Sequence, residues 1–368
     1  MQPSKIIQKI ENYFKIKFDP AQNLLFFDEV QACGEALNSL KYFSEEASDI
    51  FVAAAGSLLG LTLNNVSFPV GKVEYLEIHP MNFEEFLQAS GQIGMLDDSR
   101  VQLNDFNHHE LIKALKYFLI TGGAPEVVKN FCDMQFKNAI DFEALRKLQE
   151  DLINSHMSDM AKHCGNINSM HLDRIWRNIP EQLARENTQK FQFRKVIPKM
   201  NKYSQMSDAI DWLVTTGLVK KVYLVDHAEL PLSAFKKENT FKLYIYDVGI
   251  LGALARIHPQ TILDYDFETF KGFFLENFVL LELQFKNVKN IFSWKSEKSE
   301  IDFLIEHQGL IKAVEVKAGL NTKSKSLSVF IQKFKTIKSY RLSLIQGNSK
   351  TESIVKLPLY LTSEILDN

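Results

Sequence analysis

The run Leu24-Leu-Phe-Phe-Asp28-Glu29 reads as a strand of unbroken apolar side chains that ends in two acids. Unbroken rather than alternating apolar residues predict a strand covered on both faces, as in parallel sheets. Upstream, Ile6, Ile7, Ile10 and Phe14 form a short helical stripe. Downstream, a helix is expected over 36–46, and a second apolar strand over Ile50–Ala55 runs into Gly56-Ser57. Strand, helix, strand in this order points to an α/β region with a parallel sheet.

The bulk properties fit that reading. The chain has 368 residues, enough for two or three domains, and is 45% hydrophobic and 24% charged, as soluble globular proteins are. Cys33, Cys132 and Cys164 form no C-x-x-C pair, which excludes a disulfide framework and a Cys-rich zinc site. The longest apolar stretch, Ile50–Leu63, is broken by glycines and falls short of the roughly 20 residues that span a bilayer. With no signal-like N-terminus, a cytoplasmic location without membrane contact is expected. The nine histidines show no metal-ligand spacing.

Further along, 100–165 reads as helical, with a forced break at Thr121-Gly-Gly-Ala-Pro125. Pro180 suits the first turn of a helix over Pro180–Glu186, and a helix over Met206–Thr216 stops at Gly217 before a strand at Leu218–Val225. That helix, helix, strand-pair outline resembles a winged helix. From about 270 the pattern returns to α/β: an amphipathic helix over Phe273–Phe285, then strands at 290–295, 300–306 and 310–317. Residues 284–350 are basic, with 13 Lys/Arg against 5 Asp/Glu.

Asp28 and Glu29 match a Walker B strand, in which the Asp holds Mg2+ through water and the Glu activates the attacking water. Taken alone, any buried strand that ends in acids fits as well. The ordered set Asp28-Glu-Val-Gln31, Ser39–Phe43, Ala55–Gly60, Ser67–Val73, Pro80–Leu87, Thr121–Val128, Ile179–Ala184, Glu229–Leu232, Phe241–Gly249, Leu275–Phe278 and Val314–Gly319 covers nearly the whole chain. Together these segments resemble a bacterial and archaeal AAA-superfamily ATPase family with a C-terminal region of unknown function and a nuclease-like end. The resemblance implies ATP and Mg2+ as cofactors, with Asp28 on the metal, Glu29 catalytic, and Ser57 the sensor at the tip of the next strand. Lys72 could face phosphate, although a solvated lysine after a tight turn is the better reading.

One departure is large. The sequence contains no G-x-x-x-x-G-K-[ST], whose amides, Lys and Ser/Thr supply most nucleotide affinity. The resemblance places that loop and its strand ahead of the first residues here. ATP is therefore expected to bind weakly or not at all, and 1–90 to be destabilised by the lost central strand.

The C-terminal strands hold a second candidate. Glu300-Ile-Asp302 and Val314-Glu315-Val-Lys317 resemble the D…E-x-K core of PD-(D/E)XK nucleases. A two-residue loop at Gln308-Gly309 would set position 302 opposite 315, and alternation then puts Asp302, Glu315 and Lys317 on one face. Two carboxylates and a lysine so placed can hold Mg2+ or Mn2+ and activate water for phosphodiester hydrolysis, with Glu276 on the preceding helix as a further metal ligand. A surface hairpin with solvated charges is the alternative.

The expected whole is an α/β multidomain protein. A partial P-loop AAA-type core spans 1–95, a helical lid or connector 96–165, a winged-helix-like domain 166–265, and a restriction-endonuclease-like α/β domain 266–368. DNA is the expected partner, through Arg174, Arg177, Arg185, Lys190, Arg194, Lys195, Lys199 and Lys202 and the basic C-terminal strands. A protein partner or a missing N-terminal fragment is the other candidate. Three functions stay open: an incomplete ATPase with a nucleic-acid-facing end, a metal-dependent DNA nuclease, or a non-catalytic binding protein.

Overall fold

Leu25 and Phe27 decide how the first strand packs, because they alone of its four residues turn towards a helix. The computed structural model describes residues 2–56, 71–185, 190–264, 268–296, 299–319, 325–335, 337–346, 350–351 and 354–367. The chain is a mixed α/β protein of two compact units, Met1–Ile78 and His79–Asn368.

In the first unit, α1 (Pro3–Phe14) starts with proline in its first turn, where a missing N–H costs nothing. Strand β1 (Leu24–Phe27) pairs in parallel with β2 (Phe51–Ala54), and α2 (Gly34–Glu46) connects them. Leu37, Leu40 and Phe43, three residues apart on α2, are buried, and Val30 joins them. Phe27, Val52, Ala54 and Val73 pack against this small core. The opposite face is open: Leu24, Phe26 and Phe51 are 59%, 55% and 68% exposed. The expectation of a strand buried on both faces is thus corrected. Side chains alternate, and among the described residues only one face is covered by a helix.

The second unit begins with helices. Asn82 caps α3 (Phe83–Ala89) by accepting Glu85 N–H at 2.8 Å, while the Glu85 carboxylate accepts Asn82 N–H at 3.1 Å. This reciprocal box fixes the helix start and drops Phe83, Phe86 and Leu87 into the core. These residues belong to the second compact unit, which begins at His79 and not near 95. Helices α4 (Ile93–Val101), α5 (Asp105–Thr121) and α6 (Pro125–Phe136) follow, with the forced break at Gly122-Gly123 where it was anticipated.

Helix α7 (Phe142–Arg185) runs 44 residues and carries Pro180 in its interior. The helix start expected at Pro180 is therefore corrected, and the boundary expected at 165/166 falls inside this helix. An interior proline costs roughly 3 kcal/mol. Leu172, Ile175, Trp176, Ile179 and Leu183 form a continuous buried stripe through it, and their burial offsets that loss. Helix α8 (Ser207–Thr215) ends before Gly217 at φ 79°, as its position predicts.

Strands β3 (Val219–Val225) and β4 (Lys236–Ile245) do not stand apart as a ribbon. They continue an eight-stranded sheet with β5 (Asn290–Lys295), β6 (Glu300–His307), β7 (Leu310–Lys317), β8 (Lys338–Ser343), β9 (Lys350–Thr351) and β10 (Ile354–Pro358). The order is β4-β3-β5-β6-β7-β8-β10-β9. Helices α9 (Val248–Leu254), α10 (Pro259–Leu263) and α11 (Glu268–Phe285) lie in sequence between β4 and β5. Helix α12 (Lys325–Lys333) links β7 to the parallel β8, and α13 (Glu364–Asp367) closes the chain.

One face of the sheet packs on α11 through Phe274, Phe278, Phe303, Val314 and Tyr340. The other packs on α12 through Trp294, Ile301, Leu304, Ala313 and Phe330. At the edge strand β4, Asn277 of α11 serves both backbone groups of Ile245. Its Oδ1 accepts the N–H at 2.9 Å and its Nδ2 donates to the carbonyl at 2.8 Å.

Candidate functional site

At the end of β1, Asp28 and Glu29 are exposed. The Asp28 carboxylate accepts the Glu29 N–H at 3.0 Å, and Gln31 Nε2 donates to Glu29 Oε2 at 2.7 Å. Glu29 itself adopts φ 49°, a left-handed turn directly after the strand. The two acids stand at the carboxyl end of a parallel strand, where an α/β sheet presents ligand groups. Ser57 lies outside the described residues. Lys72 is 3.7 Å from Glu45 and 45% exposed, a solvated ion pair. The sequence contains no G-x-x-x-x-G-K-[ST] motif of the phosphate-binding type.

The C-terminal strands show how backbone geometry redistributes the other candidates. The hairpin turns at Gln308-Gly309, both left-handed at φ 50° and 74°, as a two-residue loop requires. Its ladder runs from His307–Leu310 to Phe303–Val314, the register read from the sequence. Strict alternation fails one residue further. The β5–β6 ladder slips between Phe292–Leu304 and Trp294–Ile301, so β6 carries an extra residue. Ile301 and Leu304, three positions apart, both pack on the α12 side. The bulge turns Asp302 towards α11.

Two charged groups result. Glu276 of α11 is 4% exposed; it accepts the Tyr244 hydroxyl at 3.0 Å and lies 3.5 Å from Lys242 Nζ. Lys242 is fully buried and also lies 2.8 Å from Glu300, whose other oxygen is 3.5 Å from Lys295. Asp302 belongs here: its carboxylate accepts Val316 N–H at 2.8 Å. Burial, then the nearby Glu276 charge, push its carboxyl well above the usual carboxylate range, while Lys242 pulls the other way. Burial would lower the Lys242 ammonium, but Glu276, Tyr244, Glu300 and Asp302 together hold it well above its ordinary value.

The second group centres on Glu315, which is 2% exposed. One oxygen is 3.1 Å from Lys317 Nζ and the other 3.3 Å from Arg341 Nε on β8. Alternation along the regular β7–β8 ladder sets Glu315 on the side of Ala313, away from α11. The structure therefore brings Glu315 and Lys317 together and sets Asp302 with Glu276, not with Glu315. Among the described residues no three acidic, histidine or cysteine side chains stand close enough to hold one metal ion.

Lys242, Tyr244, Glu300 and Arg341 were not singled out from the sequence. Three of them had a signal. Lys242 and Tyr244 are two apart in the segment 241–249, and Glu300 precedes Asp302 by two on the same strand.

The middle of the chain offers a basic surface. Lys190, Arg194, Lys195, Lys199 and Lys202 are exposed over 190–202, a stretch between α7 and α8 that contains no acid. Lys195 and Lys199 take left-handed turns at φ 70° and 67°. Arg174 is exposed on α7, as is Arg177, which is paired to Asp173; the side chain of Arg185 lies outside the described residues.

Three family models match this chain. One described as an AAA domain covers residues 2–87. Two described as domains of unknown function, DUF8612 and DUF4143, cover 112–261 and 271–360. No curated protein and no solved structure matches it. The AAA match contains Asp28 and Glu29. The other two matches meet inside one sheet, since β3 and β4 come from the first and β5–β8 from the second. No helix among the described residues is long and apolar enough to cross a membrane.

Proposed function

We propose that this chain is an AAA-type, ATPase-related protein whose His79–Asn368 unit is a nucleic-acid-binding module on a nuclease-like frame. The carrying observation is the pairing of its acids with cations of the same chain. Glu315 is held between Lys317 and Arg341, and Glu276 and Glu300 share Lys242. The succession α11-β5-β6-β7-α12-β8, with Asp302 and Glu315-x-Lys317 on adjoining strands, supports descent from a PD-(D/E)XK-type domain. Mg2+ or Mn2+ would need several carboxylates free to converge on one ion, and as arranged these do not fit it.

Binding would run through the basic middle of the chain. Five exposed cations without an acid over 190–202 suit contact with phosphates. A gel-shift titration with duplex DNA at two salt concentrations tests this. The expected result is binding that weakens steeply with salt and is reduced by Lys195→Glu with Lys199→Glu; no binding even at low salt overturns it.

For the AAA-type region, the exposed pair Asp28–Glu29 supports the metal side of an ATP–Mg2+ site, with Ser57 as its sensor. The absent phosphate-binding motif supports weak nucleotide binding by this sequence on its own. A polypeptide carrying that loop is the partner the open Leu24–Phe26–Phe51 face would accommodate. Micromolar affinity for a fluorescent ATP analogue by this sequence alone would overturn the weak-binding reading.

A second reading, DNA cleavage with Mg2+ or Mn2+, draws on the 3.1 Å approach of Lys317 to Glu315. A cleavage assay with either metal, compared with Glu315→Ala and Lys317→Ala, decides it. No cleavage by the wild type sinks this reading.

A further inference from the structure

We propose that Lys242 is the resident cation of the α11-side acid group, its ammonium standing in for a divalent metal, so that Glu276 and Glu300 find their counter-charge within the chain.

The geometry carries this. Lys242 has no solvent exposure, yet its long side chain ends 2.8 Å from one Glu300 oxygen and 3.5 Å from one Glu276 oxygen. The three acids come from two elements: Glu276 from α11, Glu300 and Asp302 from β6. Lys242 comes from a third, β4, at the far edge of the sheet order. Tyr244, two residues on, donates to the same Glu276 oxygen at 3.0 Å. A buried ammonium is costly unless carboxylates surround it, and buried carboxylates are costly unless a cation sits among them. Each half of this group is therefore what makes the other tolerable. A divalent ion brought to the same oxygens would meet the ammonium at close range, and the repulsion at low dielectric is large.

The arrangement also ties two regions of the chain to each other. Lys242 lies in the stretch matched over 112–261, and its three acids lie in the stretch matched over 271–360. Neither stretch brings these charges together without the other. The inference does not depend on whether the unit binds DNA.

The test uses the full chain. Lys242→Met removes the charge and keeps the length. Thermal unfolding of the variant and the wild type is followed across mildly acidic to mildly alkaline pH. The deficit of the variant is expected to grow as pH rises, because the stranded acids then ionise. It is expected to shrink when Glu276→Gln and Glu300→Gln are added to Lys242→Met. Calorimetric titration of the wild type with MnCl2 is expected to give no binding that depends on Glu276. A deficit equal at all pH values overturns the proposal. So does Mn2+ binding by the wild type that Glu276→Gln abolishes. If Lys242→Met does not fold, the MnCl2 titration of wild type and Glu276→Gln decides alone.

Discussion

The carboxylate of Glu282 accepts the backbone N–H of Phe83 at 2.8 Å, and so caps α3 from α11, 199 residues away in sequence. Burial pushes this carboxyl up to about 7, more than its favourable contact with the N–H lowers it. A folded-state value raised above the unfolded one means that the folded state keeps a proton which the unfolded state has lost. The contribution to stability is thus fully present below the unfolded value, near 4.5, and is lost as pH rises to about 7. At about 1.4 kcal/mol for each pH unit, the loss is of the order of 3 kcal/mol. Glu282→Gln keeps an acceptor for Phe83 N–H and removes the titration. Chemical denaturation across this range is expected to show a flatter pH profile for the variant and a more stable variant on the alkaline side.

Glu315 and Arg341 are paired across β7 and β8 with both side chains buried. Removing one partner strands the other, a loss of about 3–5 kcal/mol. Glu315→Ala should fall in that range, and Glu315→Met with Arg341→Met should recover most of it. A double-mutant cycle in urea would measure the coupling, and single losses that simply add would refute it.

Gly122 and Gly123 carry the break between α5 and α6 for reasons beyond turn preference. Gly123 N–H donates to Asp247 at 2.6 Å, and Gly123 O accepts Met81 N–H at 2.8 Å. A methyl group on Gly123 would collide with the Met81 backbone, and one on Gly122 with the Asp247 carboxylate. Gly123→Ala is expected to cost about 3 kcal/mol or more. Gly272→Ala, in α11 with open space around it, should be neutral or stabilising by up to about 1 kcal/mol. Equal effects of the two substitutions in thermal unfolding would contradict this account.

In the first unit, β1 and β2 rest on a small core around Val30, Leu37 and Leu40. Native-state hydrogen exchange should therefore find the amides of Leu25 and Val52 less protected than those of Phe303 and Val314, by at least tenfold. Comparable protection would mean that the open face is covered in solution.

The hairpin at Gln308-Gly309 was legible in the sequence because a two-residue turn leaves one register. Glu315 and Lys317 were legible because they are two apart on one strand. The break at Gly122 and the stop at Gly217 were legible from local chemistry. Other features depend on distant contacts. Pro180 announced a helix start, but the stripe from Leu172 to Leu183 outweighs it. Asp302 was aimed at Glu315 by alternation, and a single extra residue in β6 aims it at Glu276. Lys242 looked like any strand lysine, since nothing local says that it ends among acids supplied by α11 and β6. The continuation of β3 and β4 into the β5–β8 sheet was likewise invisible, because it rests on a parallel pairing between residues about seventy apart.

Asn277 settles what that sheet can do to its neighbours. By occupying the N–H and the carbonyl of Ile245 together, it removes the two groups through which a foreign strand would extend the sheet at that point. The β4 edge of the larger unit is thus closed to strand addition at Ile245. The β1–β2 pair shows no such device among the described residues, so during overexpression self-association should start from residues 24–54, and solubility should respond to changes at Phe26 and Phe51 before any others.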